Sequence, residues 1–421
     1  MLKTLTYGEA LTRAGAVFPP VPPEVPAILD DIRARGDEGV RAWARKLDGF
    51  ELASFEVPRE RLDAAPGLLE PALRRHLEEA IRRVGSFARA QKEGFRDFQT
   101  EVDGAVLGQR VVPVGRAVCY APGGRYPLPS SVLMGVVPAR VAGVAEVMVM
   151  SPRLHPVTLA AAALAGADRV FDLGGVHGVA AAAWGLAGVP RADLIAGPGN
   201  RFVTGAKRLL YGDVGIDFPA GPSELLVIAS AGARAAWIAA DLLAQAEHDP
   251  DALPMLAAFD PGLIPQVNAE LGRQLAALPP GSPAAESLAN GFAVLLADDA
   301  AAVVLADALA PEHLELQGAR AEALEGRFSS YGSLFVGEDT AEVFGDYGSG
   351  TNHILPTAGA ARFTGGVSVA TFLKILTWQR TLPGGRGRLA AQAAALAAAE
   401  GLHAHAASAL LRMEPTSWTA R

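Results

Sequence analysis

The chain has 421 residues, half of them hydrophobic, which is long for a single core and predicts at least two large folding units. Its formal net charge of −8 comes from mixed acidic and basic residues, and no basic stripe indicates a nucleic-acid partner. The single cysteine, Cys119, excludes an intramolecular disulfide and is typical of a reducing compartment.

The N-terminal segment and the alanine-rich stretches both lack the long apolar run of a signal peptide or a membrane-spanning helix. We therefore expect a cytoplasmic protein with no membrane partner. The proline-rich run at residues 19–23 marks the end of a short tail. Beyond it, residues 25–95 carry apolar positions at a spacing near 3.6 between charged faces, which predicts helices.

From residue 111 onward, short apolar strands alternate with helices, and glycine turns separate many of them. The predicted strands lie near residues 111–120, 146–150, 169–173, 193–196, 225–229, 255–259, 293–296 and 333–336. This alternation is typical of parallel α/β sheets. The C-terminal segment instead predicts an alanine-rich helix over 389–399 and a second helix after Gly401.

Gln245 and His248 lie at the end of a predicted helix over 233–247. Gln245 continues the apolar stripe of Ile238 and Leu242, and His248 lies one turn further on about the same face. Two such side chains at a helix end can share a metal or a ligand, but a histidine there can also cap the last carbonyl groups. Because glutamine is an uncommon zinc ligand, this segment alone favours the capping interpretation.

Glu312 and His313 follow Pro311 in a segment without a regular pattern. A histidine near its ordinary pKa of about 6.5 suits proton transfer at neutral pH, and an adjacent carboxylate can orient water or tune the imidazole. The same pair is also compatible with an ordinary surface loop. Taken alone, it is weak evidence for catalysis.

Two further polar segments come later in the chain. Asp346 and His353 lie in a glycine-rich run over 345–353, which is typical of a binding loop but also of an exposed turn. Glu400 and His405 lie where the C-terminal helix breaks, and histidine at such a place can bind a metal or cap a helix end.

Two glycine turns, Gly123-Gly124 and Gly197-Pro198-Gly199-Asn200, each lie between a predicted strand and a helix. Free N–H groups at a helix N-terminus attract phosphate. Neither turn matches the dinucleotide fingerprint G-x-G-x-x-G with an acidic residue about 20 positions later. Tight turns that need a positive φ also explain both glycine runs.

Together, these separated motifs resemble the histidinol dehydrogenase family, and they occur in the family's order along nearly the whole chain. Several motifs that occur in the family's order identify the family far more specifically than any one of them does. The matching stretches are residues 120–124, 196–200, 219–224, 245–248, 310–315, 348–353 and 400–405.

The resemblance implies an α/β fold with two incomplete Rossmann-like α/β/α domains, parallel sheets and small helical tails, in an intertwined homodimer. The larger domain would comprise residues 20–119 and 223–366 and carry the catalytic pair, and residues 120–222 would form the NAD domain. The tails at 1–19 and 367–421 would take part in dimerisation. The C-terminal tail would complete the zinc site of the partner subunit.

The resemblance also implies a role for each polar residue, beginning with one Zn²⁺ per active site. The implied zinc ligands are Gln245, His248, Asp346 and His405, of which the last would come from the partner subunit. The implied substrate contacts are these four residues and, in addition, Ser223, His313, His353 and Glu400.

Tyr120 and Asn200 match residues that contact NAD⁺ in the family. His177 stands where the family has a glutamine. The resemblance therefore implies that one hydrogen bond to the cofactor would involve an imidazole in place of an amide.

The implied reaction is the oxidation of L-histidinol to L-histidine by two NAD⁺ through a bound aldehyde, at the end of histidine biosynthesis. His313 would take the alcohol proton in each oxidation, and Glu312 would activate the water that hydrates the aldehyde. The zinc would fix the orientation of the substrate.

Two alternatives stay open at this point. A relative in the same superfamily would keep the zinc and the Glu-His pair but oxidise another polar alcohol, such as a sulfonated propanediol; Glu400 and His353 look like those of the histidinol enzyme. A zinc hydrolase with a metal-activated water is compatible with the ligand set, although it leaves the glycine turns without a cofactor.

Overall fold

The computed structural model describes residues 1–13, 19–49, 52–123 and 127–413. Contacts between residues divide the chain into two compact units. The first unit comprises residues 1–92 and 114–372, and the second comprises residues 93–113 and 373–421.

The described residues form strands that we number in chain order. They are β1 (Lys3–Leu5), β2 (Phe98–Val102), β3 (Ala105–Pro113), β4 (Arg116–Tyr120), β5 (Glu146–Met150), β6 (Arg169–Phe171), β7 (Leu194–Ala196), β8 (Gly215–Ile216), β9 (Glu224–Ala229), β10 (Leu253–Ala258), β11 (Phe292–Leu295), β12 (His313–Gln317), β13 (Ser333–Val336) and β14 (Leu373–Thr381).

The α-helices of the described residues fall between these strands. They are α1 (Tyr7–Arg13), α2 (Glu24–Arg35), α3 (Asp37–Asp48), α4 (Arg59–Ala64), α5 (Pro71–Lys92), α6 (Pro129–Ala142), α7 (Pro156–Ala165), α8 (Gly175–Trp184), α9 (Arg201–Leu210), α10 (Ala235–Ala246), α11 (Leu263–Leu275), α12 (Ala284–Asn290), α13 (Asp299–Leu309), α14 (Ala319–Glu322), α15 (Glu342–Tyr347), α16 (Arg386–Ala399) and α17 (His403–Leu410). None of these helices is long and apolar enough to cross a membrane.

The first unit contains a six-stranded parallel sheet in the order β1-β11-β10-β9-β12-β13. Its central strand β9 reads Glu-Leu-Leu-Val-Ile-Ala, and alternate residues point to opposite faces. Leu225 and Val227 pack in one buried cluster with residues of α10 and α11, whereas Leu226 and Ile228 pack in another with residues of α13. Helices therefore cover both faces, which explains the unbroken apolar run of the strand.

A second parallel sheet of the first unit has five strands in the order β6-β5-β4-β7-β8. The chain runs outward from β4 to β6 and then returns to place β7 on the other side of β4. The direction of winding thus reverses between β4 and β7, and ligands of such sheets bind at that reversal, beyond the carboxyl ends of the strands. Both parallel sheets confirm the predicted α/β class.

The two termini carry the helices that the sequence predicts, and each also carries a strand that it does not. β1 pairs in parallel with β11 at the edge of the six-stranded sheet. In the second unit, β14 pairs antiparallel with β3, which in turn pairs antiparallel with β2. The domain boundaries implied by the resemblance, at residues 20, 120, 223 and 367, stay predictions.

Candidate active site

Glu312 immediately precedes β12 and His313 begins it, so both lie at the amino end of one strand of the six-stranded sheet. The expectation that they lie in a segment without regular structure is wrong for His313, which begins β12 and pairs with Leu225 of β9. The strand forms because its residues alternate: Leu314 and Leu316 pack in the buried core. His313 therefore points to the opposite face.

The His313 imidazole is buried, and a main-chain carbonyl group fixes one of its nitrogens. Its Nδ1 lies 3.0 Å from the carbonyl oxygen of Glu224, which can only accept a hydrogen bond. Nδ1 therefore carries the proton and donates it, so that Nε2 holds the free lone pair. Burial lowers the pKa of His313 to about 4, so the ring is an uncharged base at neutral pH.

Glu312 is buried beside His313, and its Oε2 lies 3.7 Å from the His313 Nδ1 atom. Oε2 also accepts the main-chain N–H of Glu224 at 3.0 Å. Burial raises the pKa of Glu312 well above its usual range. Burial likewise raises the pKa of the Glu224 carboxyl to about 7. A raised pKa makes a carboxylate a stronger base toward water.

The end of α10 and the short helix α15 bring three more predicted site residues together. His248 Nε2 lies 3.6 Å from Asp346 Oδ2. His353 Nδ1 lies 3.5 Å from Asp346 Oδ1 and 3.0 Å from the Asp346 carbonyl oxygen. Gln245 is fully buried, and neither of its amide atoms finds a hydrogen-bond partner within the described part of the chain.

A metal can be held where α15 meets the start of β12. His313, Glu342 and Asp346 each offer a ligand atom, and the three atoms lie within 4.8 Å of one another. Nitrogen and oxygen donors of this kind suit zinc. The unpartnered amide of Gln245 is also consistent with a metal site, because a buried polar group needs a bonding partner. The donor atoms of these residues therefore fit a divalent metal. Asp346 belongs both to this group of three and to the zinc ligands predicted from the sequence.

Glu342 is a site residue that the sequence does not reveal. Its carboxyl is fully buried, its Oε1 lies 3.4 Å from His313 Nε2, and neither oxygen has a hydrogen-bond partner among the described residues. The only signal in the sequence is that Glu342 precedes Asp346 by one helical turn, so that both side chains lie on one face. Burial also raises the pKa of Glu342 well above its usual range.

Ser223 and His353 extend the site toward the second parallel sheet. Ser223 immediately precedes β9, next to the Glu224 that contacts both catalytic candidates. His353 Nε2 lies 3.4 Å from the hydroxyl of Ser131 in the first turn of α6. Burial lowers the pKa of His353, which keeps its ring uncharged. Ser131 was not singled out from the sequence.

Glu400 and His405 belong to the second unit, where Glu400 caps the end of α16 and His405 lies in α17. Both residues are exposed to solvent. Their implied roles in substrate and zinc binding stay predictions.

The implied cofactor residues Tyr120 and Asn200 lie at the reversal between β4 and β7. Tyr120 ends β4, and its hydroxyl accepts the N–H of Gly175 at 3.2 Å. Gly197 follows β7 with a φ of +128°, and a Cβ atom there would overlap the Tyr120 carbonyl oxygen. Only glycine allows this close approach. This close approach lies at the reversal of the winding, which is where sheets of this kind have the crevice that binds a dinucleotide.

The remaining cofactor candidates fit less directly. His177 is fully buried, its Nε2 lies 2.9 Å from Asp48 Oδ2, and its Nδ1 has no partner among the described residues. Its predicted contact with NAD⁺ stays a prediction. Of the Gly123-Gly124 turn, Gly124 lies outside the described residues, whereas a Cβ atom on Gly123 would overlap the carbonyl oxygen of Pro152.

Cys119 is buried in β4, and burial raises the pKa of its thiol to about 12. A thiol of this kind stays protonated and is a poor nucleophile. Cys119 is therefore a small apolar residue of the core.

Comparison with known proteins relates the whole chain to one enzyme family. A family model described as histidinol dehydrogenase matches residues 12–413. A histidinol dehydrogenase from Thermus thermophilus is 46% identical over 402 residues, which cover 95% of this chain and 97% of that protein. A protein named histidinol dehydrogenase homolog from Ruegeria pomeroyi is 42% identical, with 94% of each chain covered.

The fold is also shared with a solved structure of the same family. The crystal structure of histidinol dehydrogenase from Elizabethkingia anophelis has a TM-score of 0.90 and 31% sequence identity, and 98% of each chain is covered. Because the family consists of oxidoreductases, the zinc-hydrolase alternative is excluded. The chain belongs to the histidinol dehydrogenase family.

Proposed function

We propose that this chain oxidises L-histidinol to L-histidine through the aldehyde, with two NAD⁺ and a zinc site shared between the subunits of a homodimer. The observation that carries the proposal is the setting of His313. Its Nδ1 is engaged by the Glu224 carbonyl at 3.0 Å, and its Nε2 faces the side chains of the metal-capable group. A neutral base beside a metal is what alcohol oxidation requires.

Gln245, His248 and Asp346 would hold the zinc together with His405 of the partner chain. When bound there, the zinc would supply a Lewis acid that orients the substrate for reaction. Support comes from the buried, unpartnered amide of Gln245 and from the 3.6 Å approach of His248 to Asp346. The His248 side chain is partly exposed, so a ligand can approach it.

His313 would act as the general base in both oxidations. In each, Nε2 takes the hydroxyl proton while the hydride leaves the substrate carbon for NAD⁺. The Glu224 carbonyl keeps the donor on Nδ1, so that the lone pair stays on Nε2 throughout. The low pKa of the buried ring, about 4, allows it to release each proton before the next step.

Glu312 would activate the water that converts the bound aldehyde into its hydrate, which is the substrate of the second oxidation. Oε2 of Glu312 is fixed by the N–H of Glu224. The other carboxyl oxygen would accept the proton from water. Retaining the aldehyde in the buried site between the two steps would limit its side reactions.

Tyr120 and Asn200 would bind NAD⁺ at the reversal of the five-stranded sheet. The Asn200 side chain is exposed, and its Oδ1 accepts the N–H groups of Phe202 and Val203 at 3.0 and 3.1 Å. Its Nδ2 group is therefore the donor available to the cofactor. A second donor surface is the start of α8, where Gly175 lies against the Tyr120 hydroxyl.

The homodimer is supported by the apolar surface of the second unit. Ile375 and Leu376 in β14 are 54% and 47% exposed, and Leu396 in α16 is 59% exposed. Ile375 and Leu376 are adjacent in a strand and point to opposite faces of the sheet, and exposed large apolar side chains are typical of surfaces that a partner covers. His405 lies in the same unit, as expected if this unit reaches the partner's zinc site.

The experiment that tests the proposal is NADH formation with L-histidinol, before and after removal of zinc by a chelator. We expect NADH with the metal-loaded protein, a large loss after chelation, and recovery when zinc is restored. A folded, zinc-loaded protein that forms no NADH from L-histidinol would reject the proposal.

A second candidate is the oxidation of another polar alcohol, such as a sulfonated propanediol. It is favoured by the 42% identity to the Ruegeria pomeroyi protein, whose name marks it as a homolog of histidinol dehydrogenase. A panel of polar alcohols at equal concentration separates the two. Turnover of a sulfonated alcohol without turnover of L-histidinol would select the second candidate.

A further inference from the structure

A buried ion pair lies beneath the Gly197 turn. Lys207 of α9 pairs with Asp217, which follows β8, and the two side chains are only 2% and 1% exposed. Lys207 Nζ donates to the carbonyl oxygen of Gly197 at 2.9 Å, and Asp217 Oδ2 accepts the Gly197 N–H at 2.8 Å. The two members of one ion pair therefore hold both main-chain polar groups of Gly197.

Gly197 is also the residue on which the shape of the crevice depends. Its φ of +128° and its close approach to the Tyr120 carbonyl exclude any side chain. Pro198 follows with a fixed φ, and Asn200 then caps the start of α9. A rotation at Gly197 would therefore move Asn200 relative to Tyr120.

Stability alone does not explain a buried pair of this kind. Removing two charges from water costs several kcal/mol, and apolar residues of similar volume are often as stabilising. What apolar residues cannot supply are the two directional hydrogen bonds to Gly197. The pair is therefore better explained as a device that fixes the path of the main chain.

We propose that Lys207 and Asp217 are positioning residues of the NAD⁺ site: they hold the Gly197 turn so that Asn200 faces the dinucleotide. This inference rests on the proposed function, because it takes NAD⁺ as the ligand of the crevice. Loss of the two hydrogen bonds raises the KM for NAD⁺ and leaves the KM for L-histidinol and the zinc content unchanged.

Two charge-neutral double variants test the proposal in the full-length, zinc-loaded protein. Lys207→Leu with Asp217→Leu removes both hydrogen bonds to Gly197. Lys207→Gln with Asp217→Asn removes the charges but keeps a donor and an acceptor. We expect the first to raise the KM for NAD⁺ about tenfold or more, with kcat within about twofold, and the second to stay within about threefold of the wild type.

The proposal is overturned if the leucine pair folds and keeps the wild-type KM for NAD⁺. It is also overturned if the Gln/Asn pair folds and loses NAD⁺ affinity as severely as the leucine pair does, because charge and not positioning would then be the cause. Should the leucine pair fail to fold, Lys207→Met with Asp217→Asn removes the donor to Gly197 alone. An unchanged KM for NAD⁺ in that variant likewise overturns the proposal.

A control ion pair lies at the amino ends of two strands of the same sheet. Arg116 at the start of β4 pairs with Glu146 at the start of β5. Arg116→Gln with Glu146→Gln also removes an ion pair, and we expect it to leave the KM for NAD⁺ unchanged. Equilibrium binding of NADH, measured by its fluorescence, separates this proposal from the proposed function. A wild-type protein that binds NADH but does not oxidise L-histidinol contradicts the proposed function. The NADH affinities of the variants then still test the role of the ion pair.

Discussion

The Nδ1 atom of His313 lies 3.0 Å from the main-chain carbonyl oxygen of Glu224. This single contact selects the tautomer of the ring, because a carbonyl accepts a proton and cannot supply one. The N–H of the same residue, Glu224, is bonded to the Glu312 carboxyl at 3.0 Å. One residue at the start of β9 thus orients both members of the proposed catalytic pair.

We expect His313→Ala to lose turnover by roughly 10²–10⁴-fold while it retains zinc and fold, because the general base is removed and the predicted ligands remain. The measurement is the rate of NADH formation together with the zinc content per chain. Loss of the metal from a folded His313→Ala protein would instead make His313 a ligand.

Burial of the neutral His313 ring makes the metal-free protein sensitive to acid. Its pKa of about 4 lies below the ordinary value of 6.5, so the unfolded chain binds the proton first as the pH falls. The contribution of the neutral His313 ring to the free energy of unfolding is therefore complete above pH 6.5 and is lost as the pH falls from 6.5 to about 4. The loss is roughly 3 kcal/mol, from 1.36 kcal/mol for each pKa unit.

Urea unfolding at several pH values measures this loss, and His313→Gln is the matched variant that lacks it. We expect the difference in stability between the wild type and the variant to shift in favour of the variant as the pH falls. A difference that is constant from pH 7.5 to 4.5 would show that His313 does not carry this sensitivity.

Asp346→Asn should weaken zinc binding by tenfold or more, because an amide replaces a charged ligand that also contacts His248 and His353. Competition with a chelator, followed by measurement of bound zinc, gives the change. The control is Asp251→Asn, an exposed carboxyl near the end of α10. Equal zinc affinity of the Asp346 variant and the control would remove Asp346 from the ligand set.

The shared zinc site predicts complementation between two inactive variants. A dimer of one His248→Ala chain and one His405→Ala chain would contain one site with both ligands intact and one site with neither. A random mixture contains about half such dimers, so about a quarter of the wild-type activity should return. If remixed subunits regain no activity although dimers have exchanged, the ligands do not come from different subunits.

The sequence predicts the α/β class and most strands because their apolar runs are buried on both faces, as in β9. It does not predict β12, whose residues alternate polar and apolar and begin with a catalytic candidate. Glu342 was missed because a lone carboxylate in a helix is usually exposed, and only the fold buries it beside His313. The hydrogen bond between His177 and Asp48 could not be predicted either, because the two residues lie 129 positions apart and no local sequence pattern connects them.

The measurement that tests the central claim most directly is the number of NADH molecules formed for each L-histidinol consumed by the zinc-loaded protein. One active site that takes the alcohol through the hydrated aldehyde to the acid predicts two NADH and L-histidine as the product. One NADH with release of the aldehyde, or no NADH at all, would contradict the account.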